Sequence, residues 1–324
     1  MTPPDSLLLI KPGSMGDVIH ALPVASAIHS GWPTTQITWI IDPRWQPLLD
    51  HHPAIHSTIP FPREKFRGPL GILRAFRWFS ELRTVQPAIA VDLQGLLRSG
   101  ITAWSSRARI TCGLSDSREL AGIFHSIRVP VDPNEHAVDR YFRVLPALGI
   151  APDSPKYFTI CSDLMLPISS LSTPYILLHP FARGGGKSLN GAAVSAFIAA
   201  SALLADIPIR VIGFGSFESD WSRPGVEDWT NRTTMAELVR LIRESAFVVS
   251  VDSGPMHLAA ALGRPLLGIH TWSDPRRVGP YGKAWIWQGG EIRNQDLNDP
   301  PRPERPFTED DARSVARFVA GQLG

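Results

Sequence analysis

From Leu7 onward, short aliphatic or β-branched runs alternate with longer amphipathic stretches, and this alternation happens twice. In the first half the runs at 7–10, 36–41, 55–60 and 88–92 read as strands, and 17–30, 69–85, 96–105 and 135–148 as helices. In the second half strands are predicted at 175–179, 209–214, 247–252 and 265–270, with helices at 191–205, 235–244, 255–262 and 309–322. Strands that alternate with helices form parallel sheets covered on both faces, so the chain is α/β and doubly wound. Its 324 residues exceed one ordinary core and suit two. Residues 149–174 are rich in Pro and Ser and weakly periodic. The expected organisation is a domain over 1–155, a linker over 156–173, a second domain over 174–305 and a terminal helix over 306–324, able to pack back toward the first domain. Two such domains would offer a cleft at the carboxyl ends of their strands, where open α/β sheets carry their chemistry.

A formal net charge of +2 argues against nucleic acid as a partner. Cys112 and Cys161 lie far apart with no CxxC spacing, and read as buried thiols of a reducing compartment. The start of the chain has an apolar run of only four residues and no basic leader. No run approaches the ~20 apolar residues that cross a bilayer. The expectation is a cytoplasmic protein whose membrane contact, if it makes any, is peripheral at the inner face of the inner membrane.

Two glycine-rich stretches fail the phosphate fingerprints they suggest. Gly186-Lys187-Ser188 needs a glycine at 181 for a Walker loop, and Phe181 stands there. In "GFGSFE" the third glycine of a dinucleotide motif is replaced by Glu218. Lys187 still follows a strand and precedes a helix, a place where an ammonium and backbone amides meet phosphate. The alternative is a solvated loop.

"SVDSGPMHLAAALGRP" carries more. A buried strand ends near Asp252, Ser253 or Gly254 can cap the next helix, and Pro255 suits its first turn. The helix N-terminus and His257 together suit a diphosphate; the plainer alternative is His257 as packing and Asp252 as a cap. "IKPGSMGDVIHALP" mirrors this in the first half. There Gly13 and Gly16 let the chain turn and let a substrate come close, and Asp17 stands at a helix start, as base or as cap. No paired carboxylates stand at a strand end, so no metal site is expected. Glu309, Asp310 and Asp311 read as the acidic first turn of the last helix.

"KPGSMGDVIHALP", "VDLQGLLRSG", "NEHAVDRY", "LHPFARGGGKSLN" and "VSVDSGPMHLAAALGRPLLGIHTWSDPRRVGPYG" together resemble the ADP-heptose:lipopolysaccharide heptosyltransferases, glycosyltransferase family 9, and within them heptosyltransferase I. The resemblance spans about residues 7–283. It implies a GT-B fold of two Rossmann-like domains. It also implies an inverting, metal-independent transfer of heptose from ADP-heptose to an anionic, lipid-linked, Kdo-containing inner core, with no cofactor. Asp17 becomes the general base. Lys187 and His257 would contact the diphosphate. Ser188, Asp252, Ser253 and Gly254 would line the donor pocket, Glu218 would lie near the ribose and Thr233 would border the adenine. Ser14, Met15, Gly16, Gln94 and His136 fall on the acceptor side. The family often has Trp-Pro where this chain has Leu189-Asn190, so the path of that loop is open.

The segment from Arg63 to Arg83 holds six basic residues and two acids, a net +4. Arg63, Lys65 and Arg67 precede the helix and suit carboxylates or phosphates of the acceptor, with Arg98 adding from the next loop; a solvated helix face is the alternative for Arg74, Arg77 and Arg83. Two other readings of the whole chain stay open: a non-catalytic sugar-nucleotide or lipid-binding module on a transferase scaffold, and a sugar-nucleotide epimerase.

Overall fold

The computed structural model describes residues 1–151, 155–160, 173–184, 186–204, 207–216 and 223–324. The chain divides into two compact units, Met1–Asp163 and Leu164–Gly324, and the boundary falls inside the expected linker.

The first unit runs β1 (Ser6–Ile10), α1 (Met15–Gly31), β2 (Gln36–Ile41), β3 (Ser57–Pro60), α2 (Gly71–Leu82), β4 (Ile89–Asp92), α3 (Leu97–Ser105), β5 (Ile110–Leu114), β6 (Ile127–Val129), α4 (Ala137–Phe142) and α5 (Val144–Leu148). Its sheet has the order β3-β2-β1-β4-β5-β6, and every pair is parallel. β1 lies at its centre, with Leu8 paired to Thr38 on one side and Ala90 on the other. Leu7 to Ile10 are all buried, as expected of a strand covered on both faces. The helix expected over 135–148 is two helices. Pro146 lacks an N–H and its ring opposes the carbonyl of Phe142, where α4 ends.

The second unit runs β7 (Ile176–His179), α6 (Gly191–Leu204), β8 (Ile209–Val211), β9 (Val226–Asp228), α7 (Met235–Glu244), β10 (Phe247–Val251), α8 (Gly254–Ala261), β11 (Leu266–His270), α9 (Pro275–Val278), β12 (Trp285–Gln288), β13 (Glu291–Asn294) and α10 (Glu309–Leu323). Its order, β13-β12-β11-β10-β7-β8-β9, repeats the first unit's winding and adds one antiparallel edge strand, β13. Both units are therefore Rossmann-like. In each, the winding reverses beside the central strand, between β1 and β4 and between β7 and β10.

The terminal helix packs within its own unit. Ala312, Val315, Ala316 and Val319 form one apolar stripe at helical spacing, and α10 lays it on α6 in the core of its own unit. Leu189 is buried in that same core, and Asn190 accepts from the Ala193 N–H at 2.8 Å at the start of α6. These contacts settle the path of the chain where the family often has Trp-Pro: the leucine fills the core and the asparagine caps the helix.

Candidate active site

Two constellations stand at the carboxyl ends of central strands, one in each unit. In the first, β1 ends at Ile10 and the chain passes Lys11 into a turn at Gly13, whose φ is +153°. Ser14 caps α1, while Met15, Gly16 and Asp17 are its first three residues. Gly16 is thus a buried helical residue and does not make the turn, which Gly13 makes alone; a side chain on Gly13 would meet the Trp45 indole at 2.9 Å. The Ser14 N–H and hydroxyl both donate to Asp17 Oδ2 at 2.8 Å. Lys11 Nζ stands 3.4 Å from Asp17 Oδ1, and the Tyr141 hydroxyl from α4 donates to the same oxygen at 3.3 Å. The Lys11 ammonium also donates to the Leu93 carbonyl at 3.0 Å and lies 4.7 Å from the centre of the Tyr141 ring. The lysine side chain is 3% exposed and the aspartate 38%.

Surrounding protein works against ionisation of Asp17, but the Lys11 charge and the Ser14 hydrogen bonds outweigh it and hold the carboxyl below its usual range. Burial likewise works against the Lys11 ammonium, and Asp17 with Tyr141 overrides it, so its pKa is raised. The result is an ionised, partly exposed carboxylate resting on a buried counter-charge.

The other expected acceptor-side residues divide. Arg63 and Lys65 are exposed on a short 3-10 turn, whereas Arg67 pairs with Glu64 at 2.9 Å. Burial and the nearby Arg63 charge both pull the Arg98 guanidinium down, so these two arginines share one neighbourhood. Gln94 sits half-buried after β4, where its N–H and that of Gly95 donate to the buried Asp92. His136 is 2% exposed. Its Nδ1 accepts from the Val138 N–H to cap α4, and its ring meets that of His20 edge-on. In the first unit His136 thus has a structural task.

In the second unit Lys187, from the loop after β7, reaches Asp252, which follows β10, at 3.1 Å. The Lys187 ammonium lies 4.0 Å from the centre of the Trp272 ring. Thr271 Oγ1, from the same end of β11, donates to the Gly186 carbonyl at 3.1 Å, so the lysine loop is gripped from the neighbouring strand. His257 turns its Nε2 to within 3.7 Å of Asp252 Oδ1 and is 7% exposed. Burial disfavours the Asp252 carboxylate, but the His257 hydrogen bond and the surrounding positive groups, Lys187 among them, reverse this and push its pKa far down.

Ser253 is the N-cap of α8, yet no side chain caps that helix. The Ser253 hydroxyl instead meets His179 Nδ1 and the Val251 carbonyl, each at 3.0 Å. Burial holds His179 neutral, with a pKa of about 3. The uncapped helix start, with Gly254 as its first residue, keeps its dipole available to an anion. Ser188 is exposed, but its hydroxyl is spent on the Ala182 N–H and carbonyl, closing the loop on itself. Thr233 lies half-buried just before Thr234, the N-cap of α7. Glu218 and Cys161 lie outside the described residues; Cys112 is a buried thiol, pushed up to about 12 by burial. Among the described residues, no group of three or more His, Cys, Asp or Glu is gathered to hold a metal ion.

Sequence reasoning passed over Lys11, Tyr141, His179, Thr271 and Trp272. Only Lys11 carried a visible signal, a cation placed directly after four buried aliphatic residues.

The model of glycosyltransferase family 9 (heptosyltransferase) matches residues 75–195 and 228–299. The chain belongs to this family. Among family 9 relatives, lipopolysaccharide heptosyltransferase 1 of Salmonella typhimurium is 27% identical over 305 residues, covering 86% of this chain and 92% of that protein. The structure of the E. coli heptosyltransferase WaaC with ADP superposes with a TM-score of 0.80 at 22% identity, covering 98% of this chain and 99% of the other. The same enzyme with ADP-2-deoxy-2-fluoro heptose gives 0.77 at 21% identity, with the same coverage. The fold is therefore GT-B, and the chain is a glycosyltransferase.

Proposed function

We propose that the chain transfers heptose from ADP-heptose to the Kdo-containing inner core of lipopolysaccharide, with inversion and with Asp17 as the general base. The observation that carries this reading is the Asp17 carboxylate, 38% exposed and backed by a lysine that is 3% exposed, in a family 9 chain. A capping aspartate needs no buried ammonium behind it. A carboxylate that must stay ionised while a sugar crowds it does.

In the step, the acceptor hydroxyl oxygen bonds to the anomeric carbon. The bond from that carbon to the diphosphate oxygen breaks, and its electron pair leaves with ADP. The hydroxyl proton passes to Asp17. A carboxylate of low pKa is a weak base toward a free alcohol, but the hydroxyl becomes acidic as its oxygen forms the new bond. Lys187 and the uncapped start of α8 offset the charge that grows on the diphosphate. Asp252, with His257 against it, holds Lys187 in place. Ser14 holds the base, and Met15 and Gly16 shape the helix start behind it. Arg63, Lys65 and Arg98 are the better candidates for the anionic groups of the acceptor, with Gln94 beside them and Arg67 shared with Glu64. Thr233 borders the adenine, and Glu218 is proposed for the ribose.

The test is an assay of ADP release and of sugar incorporation, with ADP-heptose alone and with a Kdo-bearing lipid A acceptor, each with and without chelator. Expected is acceptor-dependent release matched by incorporation, unchanged by chelator. Release that ignores the acceptor, or donor binding without turnover, overturns the transfer reading. Loss in chelator that added divalent metal restores overturns the metal-independent step.

A further inference from the structure

Helix α2 has more apolar surface than its packing uses. Trp78 and Leu82 join the core beneath it, where Phe61 and Phe66 meet Trp78 edge-on, and the Trp78 indole donates to the Pro60 carbonyl at 3.2 Å. That accounts for one face. Yet Ile72 is 84% exposed, Leu73 66% and Phe76 71%, and Leu70, just before the helix, is 58% exposed. At about 100° per residue, Ile72, Phe76 and Leu73 share one arc of roughly 100° beside the packed face. Arg74 and Arg77 occupy the next arc. Three bulky apolar side chains side by side in water mark a surface that meets something.

The charges around this stripe say what it meets. Arg77 pairs with Glu81 and Arg67 with Glu64. Among the described residues, Arg63, Lys65 and Arg74 have no ion-pair partner, so the segment presents free cations around an apolar stripe. A second copy of the chain would set this +4 segment against itself. A bilayer of anionic phospholipid complements both features. Its acyl boundary takes Ile72, Leu73 and Phe76, and its phosphates take the guanidinium groups, whose stems reach along the apolar face. No described helix is long and apolar enough to cross a membrane, so the contact would be an in-plane one.

We infer that α2 is an interfacial helix that docks the first unit on an anionic lipid surface. The inference is independent of the transfer reading, because the vesicles used to test it hold no sugar acceptor.

The experiment is co-sedimentation of the full chain with vesicles of phosphatidylcholine, with and without phosphatidylglycerol, at low and physiological salt. The wild type is expected to bind the phosphatidylglycerol vesicles more tightly than the neutral ones, and less tightly as salt rises. Ile72→Ser/Leu73→Ser/Phe76→Ser should cut binding by roughly 10²-fold. Arg74→Gln should cut it by roughly fivefold. All these side chains are exposed, so the thermal midpoint should stay in place, and turnover of a detergent-solubilised acceptor by the apolar triple variant should stay near wild type. Three results would each overturn the inference: no vesicle binding by the wild type, equal binding by the triple variant, or a lipid-free dimer that the triple substitution dissolves.

Discussion

Each unit places an aspartate, a lysine and an aromatic ring at the carboxyl end of its central strands, but the roles are exchanged. In the first unit the lysine is 3% exposed and the aspartate 38%. In the second the lysine is 21% exposed and the aspartate 10%. Lys11 lies against the Tyr141 ring and Lys187 against the Trp272 ring. The same pair of side chains thus presents opposite working ends. In the proposed step, the outward anion of the first unit takes the proton with the cation as its support, and the outward cation of the second meets the diphosphate with the anion as its support. Under that proposal, burial more than residue type separates the working partner from the supporting one.

The largest expected effect follows directly. Asp17→Asn keeps the size and the Ser14 contacts but removes the basic site, and transfer should fall by roughly 10²–10⁴-fold. The proposed donor residues lie in the other unit, so ADP-heptose affinity measured by calorimetry should not change. The substitution also leaves the Lys11 ammonium buried without its counter-charge, so the thermal midpoint should drop. A variant that loses stability but transfers at the wild-type rate would make Asp17 a mere cap and break the comparison.

Lys187→Ala comes next. An outward cation that offsets developing charge is worth roughly 10²–10³-fold in turnover. The buried Asp252 keeps His257 beside it, so the fold should survive. If stability falls while turnover holds at limiting and at saturating donor, the lysine would be the supporting member in both units.

The winding of the chain was legible because its central strands are short, largely apolar runs of four or five residues, such as Leu7–Ile10 and Phe247–Val251, the latter broken only by Ser250. The strands that escaped notice lie toward the sheet edges and read poorly. Ile127–Val129 and Val226–Asp228 are three residues each, with a charge in the middle or at the end, too short to show any period. β12 and β13 hide in a stretch of tryptophan, glycine and glutamine. The site was half legible. Asp17, Lys187 and Asp252 sit in local motifs at strand-to-helix turns, and a motif is visible in one dimension. Tyr141 reaches Asp17 across 124 residues and Thr271 grips Gly186 across 85, and no local pattern announces such contacts. His136 shows the same limit: no local pattern reveals that a histidine before a helix packs on His20 and accepts from the Val138 N–H.

Lys11→Met tests the supporting role in the first unit. With Lys11 present, the Asp17 carboxyl titrates below its usual range, so the base stays ionised well into acid. Without it, only the Ser14 hydrogen bonds oppose the enclosure that favours the neutral acid, and the folded-state pKa rises. The acid limb of the pH–rate profile, where transfer is lost as pH falls through that pKa, should therefore move to higher pH. At neutral pH the loss should be on the order of tenfold, from a carboxylate held less firmly. An acid limb that stays in place would mean that Ser14 alone keeps the base ionised.

The smallest effect tests whether the aromatic ring is a true counterpart in the second unit. Trp272 is 44% exposed, and the Lys187 ammonium lies above its face. An exposed cation–π contact is worth about 0.5–1 kcal/mol, so Trp272→Leu should lower donor kcat/KM by roughly two- to fivefold, and Trp272→Phe by less. Such a change does not by itself separate holding the lysine from touching the sugar nucleotide directly. The double variant decides the matter. If the indole acts by holding Lys187 toward its working position, it has nothing to hold once the lysine is gone. Lys187→Ala/Trp272→Leu should then be no worse than Lys187→Ala. If the two losses multiply instead, the ring contacts the donor on its own account, and the likeness to Tyr141, which reaches its unit's chemistry through Lys11 and Asp17, ends at geometry.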